Sequence, residues 1–115
     1  MRLFGFVEKS WGYEEIIISN DLYCAKYMFF REVGDRTSMH FHKFKHETWK
    51  VLEGKFIVNF IDTTDGTVHT KELSVGDTWE NAPLVVHQLV AIENKSRVLE
   101  VSTADSVEDN YRVWR

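Results

Sequence analysis

The sequence has 115 residues, of which 43% are hydrophobic and 14% aromatic, enough apolar material for one packed core. Its formal net charge of −4 argues against a dedicated nucleic-acid-binding protein, which usually carries a basic surface. A lone cysteine, Cys24, excludes an internal disulfide, and we see neither a signal peptide nor a membrane span. We therefore expect a cytoplasmic protein with a single domain over residues 1–115 and no nucleic-acid or membrane partner.

Short segments rich in β-branched and aromatic residues follow one another along the chain, separated by turn signals. They cover residues 13–19, 22–30, 48–52, 55–61, 68–73, 84–92 and 97–102. Asp65 and Gly66 predict a tight hairpin turn between two of them. A helical period appears only weakly, in the last dozen residues, where we expect at most a short helical turn. This pattern predicts an all-β sandwich or barrel.

Four residues have the chemistry and spacing of a metal site. His40 and His42 are two apart on a predicted strand, so both imidazoles project from one face. Glu47 follows after a short basic loop, and His87 lies in an apolar segment where a buried imidazole needs a partner. We predict that these four bind one divalent ion, Mn, Fe, Ni or Zn. Three imidazoles and one carboxylate leave positions open for water or substrate.

Each of these residues taken alone also has an ordinary structural explanation. A His-x-His pair is common on strand surfaces, His87 alone suits a hydrogen-bonded core histidine, and Glu47 alone suits a solvated acid. Their joint spacing is what favours the metal site. We expect the other two histidines, His46 and His69, at the surface or, for His46, beside the ligands. No catalytic residue and no further cofactor can be assigned from these patterns.

Several basic residues surround the predicted ligands in an otherwise acidic sequence. Such a local excess of cations favours either a site for a phosphate or carboxylate group or an ordinary solvated face. The residues concerned are Lys26, Arg31, Arg36, Lys43 and Lys45.

The segment 34–54 resembles the first motif of the cupins, Gly-x5-His-x-His-x4-Glu-x6-Gly, at every defined position. The matching residues are Gly34, His40, His42, Glu47 and Gly54, followed by Gly76 and His87 in the second motif. Residues 9–17 (KSWGYEEII), 38–48 (SMHFHKFKHET) and 98–114 are similar to the small phosphomannose-isomerase-like cupins. The resemblance implies a double-stranded β-helix, the jelly-roll barrel of two antiparallel sheets.

The resemblance also implies a function. It is that of a metal-dependent aldose–ketose isomerase, similar to mannose-6-phosphate isomerases, acting on a phosphorylated or nucleotide-linked sugar. Two residues depart from that group: His40 stands where the isomerases usually have glutamine, and Gln88 where they often have arginine. Two alternatives stay open. One is an iron-dependent cupin dioxygenase, and the other is a non-catalytic module that binds a sugar or metabolite through the metal.

A barrel of this length leaves sheet edges open, and uncovered edges pair with other chains. We therefore predict a homodimer. The N-terminal segment through Ser19 is the part expected to cross to the neighbouring subunit.

Overall fold

The computed structural model describes residues 5–114, and its regular elements in that range are all β-strands. The strands are β1 (Gly5–Lys9), β2 (Gly12–Ser19), β3 (Tyr23–Phe30), β4 (Met39–Phe41), β5 (Glu47–Glu53), β6 (Lys55–Asp62), β7 (Thr67–Ser74), β8 (Thr78–Asn81), β9 (His87–Ala91), β10 (Ser96–Thr103) and β11 (Tyr111–Trp114). Within residues 5–114 there is no helix with the length and apolar character needed to span a membrane.

The strands form two antiparallel sheets. A six-stranded sheet has the order β1-β2-β3-β10-β5-β8, and a five-stranded sheet has the order β11-β4-β9-β6-β7. Non-consecutive strands are neighbours in both sheets, so distant parts of the sequence meet there. The predicted double-stranded β-helix is therefore confirmed, and no helical turn is needed to complete it.

The core lies between the two sheets and takes alternate residues from each strand. On β5, Glu47, Trp49 and Val51 are buried while the residues between them are more exposed, as expected for a strand with one inward face. The buried cluster draws on both sheets, and Trp11 stacks on Phe30 at one end with ring centroids 4.4 Å apart. Each large apolar side chain buried there contributes about 1.5–3 kcal/mol.

Most of the predicted strands are present, but the structure differs from the prediction at four places. The apolar segment 84–92 becomes a strand only at His87, because Leu84 has a φ of 72° and lies in a turn. The last dozen residues contain β11 rather than a helical turn. The short strands β1 and β8 were not predicted. β1 is exposed and lies at the edge of its sheet, where a second chain could pair with it. The homodimer itself stays a prediction.

The turn between β5 and β6 requires glycine, and this gives a testable result. Gly54 has a φ of +74°, and an added Cβ would lie 2.0 Å from Ser96 Oγ and 2.7 Å from Ser96 Cα. Gly66 has a similar φ of +70° but open space around it. Gly66→Ala should therefore cost only the left-handed strain of about 1–2 kcal/mol. Gly54→Ala should cost about 1–3 kcal/mol more, because its Cβ overlaps the neighbouring strand.

Urea denaturation of the two variants beside the wild type measures this difference in the free energy of unfolding. Equal destabilisation by Gly54→Ala and Gly66→Ala would contradict the close approach of β10 to this turn.

Candidate metal centre

The two sheets bring three histidines to one point. His40 lies in β4, His87 begins β9, and these two residues are directly paired between the neighbouring strands. His42 follows the end of β4. The ring centroid of His40 lies 5.0 Å from that of His42 and 4.7 Å from that of His87. One ring nitrogen from each histidine lies within 4.8 Å of the others, a spacing that one metal ion can bridge.

Hydrogen bonds to the backbone decide which nitrogen of each ring is free. Nδ1 of His40 and Nδ1 of His87 each donate to the carbonyl oxygen two residues earlier, at 2.8 and 2.9 Å. Nδ1 of His42 donates to the carbonyl oxygen of Asp109. Since a carbonyl oxygen only accepts, each Nδ1 carries the proton. In the neutral ring Nε2 then has the lone pair through which imidazole binds a metal.

Glu47, at the start of β5, lies beside two of these histidines, His87 and His42. Its Oε1 lies 2.8 Å from His87 Nε2, and Asn81 Nδ2 donates to the same oxygen at 3.2 Å. His87 Nε2 is buried without a hydrogen-bond donor. Two lone pairs so close repel each other unless a proton or a metal cation lies between them. Two ligands about 2.1 Å from one ion, at a right angle, would be about 3 Å apart, which this spacing fits.

The protonation state of His40 suits a ligand role. Burial, and then the neighbouring His87, lower the pKa of His40 to about 3. His40 therefore stays neutral at ordinary pH, which metal binding requires.

A segment near the end of the chain, residues 104–110, holds the His42 loop in place; we call it the C-terminal strap. The carboxylate of Asp109 accepts the backbone N–H groups of Lys43, Phe44 and Lys45 at 2.7, 3.1 and 3.0 Å. The carbonyl of the same residue fixes the His42 ring. Asp109 thus positions a candidate ligand, a role that the sequence analysis missed.

Beside the histidines lies a buried group of charged side chains. Lys45 Nζ lies 3.0 Å from Glu100 Oε2 and 3.3 Å from Glu47 Oε2. Lys26 Nζ lies 3.1 Å from Glu14 Oε2 and 3.6 Å from Glu100 Oε2. Both lysines are therefore neutralised inside the protein and are not the free surface cations that the sequence suggested. Burial of this kind is tolerated only when each charge has partners.

Three of the four candidate ligands, His40, His42 and Glu47, line a cavity of about 680 Å³. Its lining is mixed, with Trp11, Met28 and Trp49 beside the histidines and the charged group. The other two histidines lie elsewhere: the side chain of His46 is 43% exposed with its Nε2 3.0 Å from Glu80, and that of His69 is also 43% exposed. Both are at the surface, as expected.

Sequence reasoning missed the three acids of this cavity that pair with the buried lysines: Glu14, Glu100 and Asp105. Glu14 had a signal, because it ends the Lys-Ser-Trp-Gly-Tyr-Glu stretch that resembles the isomerase-like cupins. Glu100 and Asp105 carried no such signal, since their roles depend on how β10 pairs with β3 and β5.

Comparison with known proteins adds the fold class. No protein-family model matches the chain, and no curated protein matches it by sequence. Oxalate decarboxylase from Bacillus subtilis is similar in structure, with a TM-score of 0.82, 17% identity, and coverage of 98% of this chain and 32% of that one. KdgF from Halomonas sp. has a TM-score of 0.75, 20% identity, and coverage of 90% and 88%. The capsular polysaccharide assembling protein CapF from Staphylococcus aureus has a TM-score of 0.80, 16% identity, and coverage of 100% and 33%.

These similarities define the class: the chain has the cupin fold, and three of its histidines lie close enough together to hold a metal ion. The chain spans about a third of the length of the oxalate decarboxylase and CapF chains that it matches. At these identities the likeness establishes the fold, and function has to be argued from the site itself.

Proposed function

We propose that this protein is a metal-dependent enzyme that interconverts the aldose and ketose forms of a phosphorylated or nucleotide-linked sugar. The observation that carries the proposal is the convergence of three imidazoles beside Glu47 at the wall of a cavity with a mixed polar and apolar lining. Residues His40, His42, Glu47 and His87 would hold one divalent ion, Mn, Fe, Ni or Zn. When bound, such an ion polarises a carbonyl oxygen and the adjacent hydroxyl group of a sugar.

Isomerisation also needs a base to move a proton between two neighbouring carbons. His46 is not suited, because it is exposed and faces Glu80. Both oxygens of Glu100 are engaged, one by the Trp49 indole N–H at 3.0 Å and the other by lysines. Glu14 lines the cavity, and only one of its oxygens is paired among residues 5–114. We assign Glu14 as the base that takes the proton from one carbon and returns it to the next.

The compared proteins support a small polar ligand. Oxalate decarboxylase is named for a small dicarboxylate, and CapF for the assembly of a capsular polysaccharide. A sugar phosphate has the negative charge of a carboxylate and the hydroxyl groups of a saccharide. A cavity of about 680 Å³ has room for such a molecule.

A metal-anchored binding module without catalysis is the second candidate. It is favoured by the charged group, in which Lys26, Lys45 and Glu100 neutralise one another and leave few groups free to move protons. Activity measurements separate the two candidates.

The test is interconversion of mannose 6-phosphate and fructose 6-phosphate by protein loaded in turn with Mn, Fe, Ni or Zn. We expect turnover that chelation abolishes. Glu14→Gln should lower kcat by about 10²–10⁴-fold with unchanged metal content, because a positioned base contributes that much. Glu15→Gln is the matched control, since the next residue on β2 does not line the cavity. Metal binding without turnover would favour the binding module, and oxygen consumption by the iron-loaded protein would favour the dioxygenase.

A further inference from the structure

The basic residues near the site fall into two groups in the structure. Lys26 and Lys45 are ion-paired inside the protein, and Arg31 bonds Glu8 at 2.8 Å. Lys43 lies over the Tyr111 ring, with its Nζ 4.8 Å from the ring centroid. Three of these cations therefore have acidic partners, and the fourth, Lys43, contacts an aromatic ring.

Two arginines that line the cavity differ from the others. Neither Arg36 nor Arg112 forms an ion pair with any residue in the described range 5–114. Arg112 was not among the cations considered from the sequence. An arginine on a cavity wall without an acidic partner keeps all its donors for a ligand.

The strand register places both arginines on the wall that carries His40. Arg112 on β11 is directly paired with His40 on β4, and directly paired residues of antiparallel strands project from one face. Arg36, Ser38 and His40 are alternate residues along one segment, and all three line the cavity. His40 of the histidine cluster and the two arginines therefore share one wall of the cavity.

Within residues 5–114 the acids on the cavity form no ion pair with these two arginines. Asp35 lines the cavity, but its Oδ2 accepts the backbone N–H of Glu32 at 2.9 Å. Asp105 is engaged by Lys45 at 3.2 Å and by Lys26 at 3.6 Å. Lys9, which also lines the cavity and forms no ion pair within residues 5–114, lies on the other sheet at the end of β1.

We propose that Arg36 and Arg112 form an anion subsite that binds the phosphate group of the substrate while its hydroxyl groups face the histidine cluster. This rests on the function proposed above and adds the part of the site that selects a phosphorylated over a neutral sugar. Guanidinium groups suit this role because their paired N–H donors match two oxygens of a phosphate. The subsite would also supply arginine donors to an anion in a chain that has Gln88 where the isomerases often have arginine.

The test is calorimetric binding of mannose 6-phosphate, mannose and inorganic phosphate to metal-loaded protein. We expect the wild type to bind mannose 6-phosphate at least about tenfold more tightly than mannose. Arg36→Gln and Arg112→Gln should each weaken binding of mannose 6-phosphate and phosphate by about tenfold, leaving mannose binding and metal content unchanged. Arg97→Gln is the matched control, because Arg97 pairs with Glu53 outside the cavity.

Equal affinity for the sugar and its phosphate, or equal losses in Arg97→Gln, would overturn the subsite. So would unchanged phosphate binding in Arg36→Gln and Arg112→Gln, even in a protein that proves to be an active isomerase. Conversely, a phosphate preference that depends on the two arginines supports the subsite even where no isomerisation is detected, so the two proposals fail separately.

Discussion

The His42→Ala variant is expected to lose nearly all of its metal while the barrel stays folded. His42 supplies one of three converging lone pairs, and its ring makes no contribution to the hydrophobic core. Changing a residue that merely supports a ligand costs about 10- to 100-fold in metal affinity, and loss of a ligand itself costs at least as much. The loop should keep its place, because Asp109 still accepts three backbone N–H groups there.

The measurement is metal per chain by mass spectrometry on protein purified without chelator, with far-ultraviolet circular dichroism to monitor the fold. His46→Ala is the matched control, because that histidine lies four residues further on and its side chain faces Glu80 at the surface. Glu47→Gln should also lose metal, since an amide is a poorer ligand than a carboxylate beside His87. Equal metal in the wild type and His42→Ala would refute the site. So would no metal in either after incubation with Mn, Fe, Ni and Zn.

Glu100→Gln should destabilise the metal-free protein by about 3–5 kcal/mol, because it leaves two buried lysines with one counter-charge fewer. Glu100 accepts Lys45 Nζ at 3.0 Å and lies 3.6 Å from Lys26 Nζ, and all three side chains are almost fully buried. Glutamine keeps the shape and the bond from Trp49, so the loss measures the charge. Glu53→Gln is the control: its pair with Arg97 is exposed and should be worth less than about 1 kcal/mol.

The same group predicts a pH dependence. Burial alone would raise the pKa of Glu100, but Lys26 and Lys45 outweigh it and hold the pKa well below its usual value of 4.5. Below that value the unfolded chain binds this proton and the folded chain does not, so the free energy of unfolding falls as the pH falls. Urea unfolding between about pH 6 and 3 should therefore lose more stability in the wild type than in Glu100→Gln. Parallel curves, or a loss under about 1 kcal/mol at neutral pH, would show that the pairing does not stabilise the fold.

The metal ligands could be predicted from the sequence because their geometry is local or periodic. His40 and His42 share a face through the two-residue repeat of an extended chain, and the same repeat placed Glu47 with Trp49 and Val51 on the inner face of β5. His87 could be assigned because an imidazole in an apolar segment needs a partner.

The charged group could not be predicted, since it depends on strand register. Lys26 faces Glu100 because these residues are directly paired between β3 and β10, which are far apart in sequence. Read along the chain, Lys26 is only one more cation, and nothing local shows that it is buried. Short strands were missed for a related reason: β1, β8 and β11 have five residues or fewer, too few for a clear pattern.

The C-terminal strap bears on the order in which the protein matures. The bond that fixes the His42 ring spans 67 positions of sequence, so it forms only after most of the barrel has been closed. On a ribosome, residues 104–110 emerge after every candidate ligand has left the exit tunnel. Until they dock, the His42 ring is free to rotate and the site offers an ion fewer aligned nitrogens. We therefore expect a metal ion to bind late in folding, after the strap has docked.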